Sequence, residues 1–263
     1  MKKVFLDYTR EELDAQYEQR TRVPHADAII ARYGAASDQA RKQLGEPRTE
    51  RYGPSELEAL DIYGGTKLKA FVFVHGGAWR RESRRGSAYA AVPIVQAGAS
   101  FIALGFAALP RVTLPAMAGQ VCRAIEWVHG NLSKEIYLCG HSSGGHLAAH
   151  ALTRIPYIRK ALVVSGVYDL LPVRLSARND YVRLDQRLED EYSPIRHAEH
   201  IRCPVTVAWG EMEGAEFARQ SSEFAEKLNA PTLVGKCLNH FEIIETMADP
   251  RSPLGRAALS MLQ

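Results

Sequence analysis

The sequence predicts an α/β protein with a mostly parallel central sheet flanked by helices. Six short runs are apolar throughout, as expected for strands that are buried on both faces. These runs cover residues 70–74, 101–104, 136–139, 161–164 and 205–209, with a weaker one at 232–234. Helix-length segments separate many of the runs, and residues 114–129 and 215–228 carry apolar side chains at helical spacing. Alternating strands and helices require crossover connections, which make neighbouring strands parallel.

Two helices are predicted ahead of this alternation. Residues 9–20 predict a helix capped by Thr9, because Glu12 follows three residues later and completes a capping box. A second helix is expected over about 25–44. Together they form an N-terminal helical segment of about 9–44.

Two further stretches depart from the regular pattern. An antiparallel hairpin is expected within residues 46–66, where proline, glycine and alternating residues occur. The stretch 172–200 is charged and irregular, and we expect it to form a small cap-like insertion. No internal repeat is present, so the whole chain, residues 1–263, is expected to be a single domain.

The composition excludes several classes of protein. Of the 263 residues, 46% are hydrophobic and 24% are charged, which is the balance of a soluble globular chain. The net charge of +3 is too small to indicate a nucleic-acid partner. No stretch approaches the ~20 apolar residues of a membrane span, and the N-terminus lacks the apolar segment of a signal peptide. We therefore expect a cytoplasmic protein without nucleic-acid or membrane partners, for which a homodimer is one assembly that the sequence allows.

A basic run lies between the first two apolar runs. It comprises Arg80, Arg81, Arg84 and Arg85. One interpretation is a solvated loop. The other is a rim that attracts anionic substrates.

A glycine-rich turn after residues 136–139 predicts a serine nucleophile. The stretch Gly140-His141-Ser142-Ser143-Gly144-Gly145 contains G-x-S-x-G in the strand–turn–helix context that this motif requires. The serine of such a turn has a strained backbone, and Gly140 and Gly144 remove side chains that would otherwise collide. Ser142 Oγ then stands near a helix N-terminus, which favours developing negative charge.

An earlier loop predicts the oxyanion hole. Residues 70–74 lead into His75-Gly76-Gly77-Ala78-Trp79, and acyl transfer needs preorganised N–H donors for its tetrahedral oxyanion. We expect the amides of Gly76, Gly77 and Ser143 to supply them. Trp79 is expected either to line the substrate pocket or to pack in the core.

The acid and the base are expected after the nucleophile, because such a triad runs in the order serine, acid, histidine. His240 is the one histidine beyond residue 200 and is therefore the predicted base. The acid is expected just after residues 205–209. Glu213 is preferred because it stands where this loop turns into a helix, with Glu216 second and Glu211 third.

Several other polar residues could serve in a metal site or in the triad, but structural roles are favoured for them. His146 and His150 lie four apart on one predicted helix, a spacing that binds zinc in some enzymes, but no glutamate follows His146 and no third ligand is evident. We expect packed histidines there, no metal and no organic cofactor. His197 and His200 are expected at the surface. Asp169 offers a displaced triad acid, although a structural role in its loop is favoured.

These motifs together resemble those of the kynurenine formamidase (arylformamidase) branch of the α/β-hydrolases, close to the hormone-sensitive-lipase-like esterases. The matching stretches are residues 75–79, 140–146, 165–170, 213–221 and 239–245, with Gln16-Tyr17 and Arg20 near the N-terminus. The resemblance implies an α/β-hydrolase fold and activity on small aryl formamides, typified by N-formylkynurenine. That branch usually has aspartate at the position of Glu213, and it includes general esterases.

The expected function is that of a serine hydrolase in which Ser142, Glu213 and His240 act as a triad through an acyl-enzyme. A carboxylesterase for short acyl esters is the alternative, and a catalytically idle binding protein of the same fold is a third hypothesis. The expected partner is a small-molecule amide or ester substrate. Tyr17 and Trp79 are expected to stack on a planar aromatic leaving group.

Overall fold

A computed structural model describes residues 2–81 and 84–263, which contain an eight-stranded sheet. Its strands are β1 (Arg48–Arg51), β2 (Ala59–Tyr63), β3 (Lys69–Val74), β4 (Ala99–Leu104), β5 (Glu135–His141), β6 (Ile158–Val164), β7 (Val205–Gly210) and β8 (Thr232–Gly235). The strand order is β1-β2-β4-β3-β5-β6-β7-β8. Strand β2 is antiparallel to both β1 and β4, and all other neighbours are parallel. The predicted mostly parallel sheet is confirmed, and each predicted apolar run lies in a strand.

Helices connect and cover the strands. They are α1 (Arg10–Tyr17), α2 (Gln19–Arg22), α3 (Ala26–Leu44), α4 (Ala91–Gln96), α5 (Leu114–Asn131), α6 (Ser143–Leu152), α7 (Leu171–Leu175), α8 (Asn179–Val182), α9 (Gln186–Tyr192), α10 (Ala215–Leu228), α11 (Glu242–Glu245) and α12 (Pro253–Met261). Short 3₁₀ helices cover Arg85–Ala90, Pro194–His200 and Thr246–Ala248. Within the described residues, no helix combines the length and the apolar character needed to cross a membrane.

The capping box predicted at the N-terminus is present. Thr9 Oγ1 accepts a hydrogen bond from the amide of Glu12, and Glu12 Oε2 accepts one from the amide of Thr9 at 2.7 Å. The Thr9 amide and the Lys3 ammonium lower the pKa of Glu12 to about 2. The predicted single helix over 9–20 is nevertheless interrupted, because Glu18 has a non-helical backbone and separates α1 from α2.

Two apolar layers enclose the inner strands of the sheet, which explains why those strands are apolar, whereas the edge strand β1 is polar and mostly exposed. In β3, Val72 and Val74 pack with α5 and α6 on one face, whereas Phe71 and Phe73 pack with α3, α4 and α12 on the other. Both sets are wholly or almost wholly buried. Alternation of polar and apolar residues is therefore absent from β3.

The carboxyl ends of the parallel strands meet at one edge of the sheet. The register pairs Val74 of β3 with Gly140 of β5, and Val164 of β6 with both His141 and Ala208. The loops that follow β3, β5, β6 and β7 are therefore neighbours in space. This is the edge at which open α/β sheets bind ligands.

The stretch 172–200 is more regular than the sequence predicts. It contains α8, α9, most of α7 and the 3₁₀ helix Pro194–His200. Each of these α-helices has only four to seven residues, which is too short for helical periodicity to appear in the sequence.

Candidate active site

Ser142 stands at the turn between β5 and α6. Its φ of +56° lies in the left-handed region that side chains disfavour, and its amide donates a hydrogen bond to Val164 O at 2.9 Å. A Cβ at Gly140 would come within 2.3 Å of Gly144 O, and one at Gly144 within 2.2 Å of Val74 O. Both glycines are therefore required by the close approach of the backbone.

A continuous hydrogen-bond chain connects Ser142, His240 and Glu213. His240 Nε2 lies 2.9 Å from Ser142 Oγ, and His240 Nδ1 lies 2.7 Å from Glu213 Oε2. Because a carboxylate only accepts hydrogen bonds, Nδ1 carries the proton and Nε2 is left to accept the serine hydroxyl proton. Both His240 and Glu213 are buried.

The other oxygen of the Glu213 carboxylate is also bonded. Oε1 accepts the amide of Gly210 at 2.6 Å and the hydroxyl of Ser165 at 2.5 Å. Glu213 itself lies in the turn that joins β7 to α10. Both carboxylate oxygens are therefore held while Oε2 faces the imidazole.

The alternative acids have other partners. Glu216 accepts two hydrogen bonds from Arg219, at 2.6 and 2.9 Å. Glu211 pairs with Lys236 at 2.7 Å, a contact that lowers its pKa. Asp169 accepts from Arg196 and from the amide of Leu171, both at 3.1 Å, as expected of a loop-stabilising residue.

The loop after β3 lies against Ser142. A Cβ at Gly76 would come within 2.9 Å of Ser142 Cβ, so the loop backbone and the serine are in close contact. Gly77, Ala78 and Trp79 all have positive φ values. His75 stacks on Phe106 with ring centroids 4.4 Å apart, and burial lowers its pKa to about 4.

The structure places Trp79 in the core and not in the lining of the active-site cavity. The side chain is buried, and its indole N–H donates to His146 Nδ1 at 3.2 Å. His146 must then carry its proton on Nε2, which donates to Tyr192 O at 2.9 Å. Burial lowers the pKa of His146 to about 4 and that of His150, which stacks on Tyr192, to about 3.

A cavity of about 980 Å³ opens above Ser142 and His240. Its aromatic lining consists of Tyr17, Tyr33, Phe73, Tyr89, Tyr181, Phe217 and Phe241. Tyr17 is part of this lining, and its ring meets the Phe217 ring edge-on, with centroids 5.9 Å apart. The Phe217 ring in turn lies 4.8 Å from the His240 ring.

The basic run divides into two pairs. Arg80 and Arg81 are exposed and line the cavity, and Arg80 lies over the Tyr181 ring at 4.8 Å. Arg84 pairs with Asp61 at 3.2 Å, and Arg85 pairs with Glu46 at 3.8 Å. Neither Arg84 nor Arg85 lines the cavity.

The structure adds residues that the sequence did not single out. His141 Nε2 donates to the backbone oxygen of His240 at 2.9 Å, and burial holds the pKa of His141 well below its ordinary value. In the sequence, the position of His141 inside the G-x-S-x-G motif is the one feature that indicates a place near Ser142. Ser165 lies within a stretch noted for its family resemblance, but no motif assigns it a role beside Glu213.

One group of metal-ligating side chains is close enough to hold an ion, among the residues that the structure describes. It consists of His197, Glu199 and His200 on the 3₁₀ helix Pro194–His200. Glu199 and His200 are exposed, and none of the three lines the cavity. From the sequence, His197 and His200 are expected at the surface and not in a metal site.

Curated proteins similar over nearly their whole length share one name. The chain is 30% identical to a kynurenine formamidase of Danio rerio, and the alignment spans 97% of each chain. It is 29% identical to a kynurenine formamidase of Salmo salar, again over 97% of each. A shorter similarity, 33% identity over 38% of this chain and 27% of the other, connects it with the esterase LipQ of Mycobacterium tuberculosis. The BD-FAE family model matches residues 60–155, which include the loop after β3 and the turn of Ser142.

Solved structures show the α/β-hydrolase fold. A crystal structure from Silicibacter sp. TM1040 has a TM-score of 0.87 and 26% identity, covering 95% of this chain and 98% of that one. An esterase of Pyrobaculum calidifontis has a TM-score of 0.71 and 18% identity, covering 96% of both chains.

Proposed function

Because the chain belongs to the kynurenine formamidase family, we propose that it is a serine hydrolase of small aryl formamides such as N-formylkynurenine. Its curated relatives are named kynurenine formamidase or esterase. These names describe enzymes that cleave a formamide or an ester bond. In the proposal, Ser142, Glu213 and His240 form the catalytic triad. The mechanism uses no metal and no organic cofactor.

In the proposed first step, Ser142 Oγ attacks the formyl carbon while His240 Nε2 takes the hydroxyl proton. The hydrogen bond from Nδ1–H to Glu213 stabilises the imidazolium that forms. The imidazolium then protonates the arylamine nitrogen as the C–N bond breaks. The arylamine leaves, and the formyl group stays on Ser142 Oγ.

The tetrahedral intermediate of this step needs N–H donors for its oxyanion. We assign them to the amides of Gly76, Gly77 and Ser143. The contact between the Gly76 backbone and Ser142 Cβ supports this assignment, because it brings the loop beside the reacting atoms. Ser143 is the first residue of α6, so its amide belongs to a helix N-terminus, which favours negative charge.

Deacylation reverses the roles. Water attacks the formyl ester on Ser142, and His240 Nε2 takes a proton from the water. The C–O bond to the serine breaks, the imidazolium returns a proton to Oγ, and formate leaves. The enzyme is then ready for another substrate.

One observation carries the proposal: the unbroken chain of hydrogen bonds from Glu213 through His240 to Ser142. A buried imidazole that is oriented by a carboxylate and accepts a serine hydroxyl proton is the arrangement that activates serine for acyl transfer. Ser142 and His240 also line a cavity that is large enough for a small substrate.

The cavity also supports a preference for small acyl groups and aromatic leaving groups. Its aromatic side chains offer stacking surfaces, and Tyr17 and Phe217 bring them close to His240. Residues of helices α1 and α2 and of the segment 177–181 line the cavity, and we propose that the stretch 172–200 acts as its cap. An extended acyl tunnel would need more chain above the site than these short helices provide.

A carboxylesterase for short acyl esters is the second candidate. The same triad geometry cleaves esters, whose leaving group is better than an amine, and relatives in sequence and fold include esterases. A catalytically idle binding protein is the third hypothesis. The short Ser142–His240 distance favours the enzymatic hypotheses over it.

The test is a comparison of kcat/KM for N-formylkynurenine, 4-nitrophenyl acetate and 4-nitrophenyl palmitate. We expect the formamide and the acetate to be cleaved and the palmitate to be negligible. An acetate ester far better than the formamide would transfer the function to the esterase candidate. Palmitate as the best substrate would contradict the small cavity, and no turnover of any substrate would support the idle protein.

A further inference from the structure

We propose that Ser165 is a positioning residue of the triad that acts on the reaction through Glu213; this proposal rests on the function proposed above. Ser165 directly follows β6 and is fully buried. Its hydroxyl donates to Glu213 Oε1 at 2.5 Å. The mechanism above assigns it no chemical step, and it contacts the acid on the side away from the imidazole.

The backbone conformation of Ser165 is strained for a residue with a side chain. Its φ is +50°, in the left-handed region that side chains disfavour and that glycine adopts freely. Its amide donates to Ala208 O of β7 at 2.7 Å, so the conformation is fixed where the two strands end. A glycine would adopt this backbone conformation without strain. We therefore infer that the serine side chain makes an interaction that offsets the strain.

This interaction restrains the Glu213 carboxylate. Three donors reach its two oxygens: Ser165 and the Gly210 amide on Oε1, and His240 on Oε2. The Glu213 side chain has no exposed surface, so water cannot replace a missing donor at the bonded oxygens. Each of these hydrogen bonds to a charged group is therefore worth more than one between neutral groups.

The length of glutamate explains why a second donor on Oε1 matters. Glutamate has one more rotatable side-chain bond than aspartate, so more orientations of its carboxylate must be excluded to keep Oε2 against Nδ1. The Gly210 amide provides one restraint, and a Cβ at Gly210 would come within 2.4 Å of Leu238 O. The Ser165 hydroxyl provides the other.

The test uses Ser165→Ala and Ser165→Gly, each made in the wild-type chain and in a Glu213→Ala background. The rate constant for labelling of Ser142 by a fluorophosphonate is measured in all variants, together with kcat and KM for 4-nitrophenyl acetate. In the wild-type background we expect both substitutions to lower kcat and the labelling rate by about 10- to 100-fold, as for a lost hydrogen bond to a charged group. KM should change little. In the Glu213→Ala background the same substitutions should cost less than about 3-fold.

Ser165→Gly keeps the test independent of folding, because it removes the hydroxyl and relieves the backbone strain together. Activity retained in Ser165→Gly but lost in Ser165→Ala would overturn the proposal, since strain and not the hydroxyl would be responsible. An equal cost with and without the Glu213 side chain would also overturn it. A wild-type protein that is neither labelled nor active would overturn the proposed function first, and this proposal with it.

Discussion

The carboxyl edge of the sheet and the cover of the cavity hold their side chains by different means. At the edge, Ser142, Ser165 and Glu213 lie on or next to the ends of neighbouring buried strands. Their hydrogen bonds run between side chains and backbone amides that the strand register fixes. The edge therefore has little freedom to rearrange.

The cover consists of α1, α2 and residues 177–181, which line the cavity and are connected by side-chain contacts. Arg178 donates to Tyr17 O and, at 3.2 Å, to the hydroxyl of Tyr181. The amide of Ala177 donates to Asp14 at 2.6 Å. Arg80 adds a cation–π contact with Tyr181.

The difference separates two aspects of function. A rigid edge suits groups that must keep hydrogen-bond geometry during the chemical step. A cover of short helices suits the choice and admission of substrate. Changes at the edge should therefore lower kcat, and changes in the cover should mainly alter KM.

The largest effect is expected at the nucleophile. Ser142→Ala should lower kcat by on the order of 10⁴-fold or more, because no other group replaces the attacking oxygen. Thermal unfolding followed by circular dichroism should show an intact fold. The exposed Ser260→Ala is the matched control and should retain wild-type activity. Near wild-type turnover by Ser142→Ala would remove the chemistry from the sheet edge.

The second-largest effect on kcat is expected for substitution of Glu213, the proposed acid. Glu213→Gln is expected to lower kcat by about 10²- to 10⁴-fold, because the imidazole loses its orienting charge. Glu216→Gln, the control one helical turn away, should lower kcat by less than about 10-fold. It should instead reduce the free energy of unfolding by about 1–3 kcal/mol, through loss of the charged hydrogen bonds with Arg219. The reverse order of the two kcat effects would assign the acid to Glu216.

Acid should destabilise the folded protein through its buried histidines. Burial lowers the pKa of His75 and His146 to about 4 and of His150 to about 3, and it places that of His141 well below its ordinary value. Below the unfolded pKa of about 6.5 the unfolded chain binds more protons than the folded one, so stability present at neutral pH is lost as pH falls. Each histidine contributes up to about 1.4 kcal/mol per pH unit.

Urea unfolding at pH 7 and pH 5 measures this effect. We expect the free energy of unfolding to fall by several kcal/mol between the two values. His150→Gln should reduce the slope by about one proton, whereas the exposed and non-titrating Ser260→Ala should leave it unchanged. A free energy that does not change over this interval would show that the histidines are charged in the folded protein.

The smallest effect is expected in the cover. Arg178→Gln should raise KM for aryl substrates by about 3- to 10-fold, because it removes the hydrogen bonds that Arg178 donates to the backbone oxygen of Tyr17 and to the hydroxyl of Tyr181. Its kcat should stay within about 2-fold of the wild-type value. Arg202→Gln, an exposed arginine outside the cavity lining, is the control. A large fall in kcat for Arg178→Gln would erase the distinction between cover and edge.

The positions of Ser142, His240 and Glu213 could be anticipated because each depends on a local signal. The nucleophile turn requires glycines at fixed offsets, and the acid and histidine follow in chain order. In a parallel sheet, successive strand ends lie at one edge, so residues distant in sequence converge there. The structure accordingly places the three side chains within hydrogen-bond distance.

The orientation of Trp79 and the role of Ser165 could not be anticipated in the same way. Trp79 follows two residues with positive φ, and the direction of a side chain in such a loop depends on tertiary contacts. Ser165 acquires its partner only when β6 and β7 lie side by side. The short helices of 172–200 are likewise stabilised by packing and carry no readable periodicity.

The central claim is that Ser142 is the residue acylated during turnover. Its most direct test is peptide mapping by mass spectrometry after reaction of the wild-type protein with a fluorophosphonate. We expect a single adduct on Ser142, blocked by prior incubation with N-formylkynurenine and absent from Ser142→Ala. An adduct on another residue, or no adduct in an enzyme that still turns over substrate, would contradict the account.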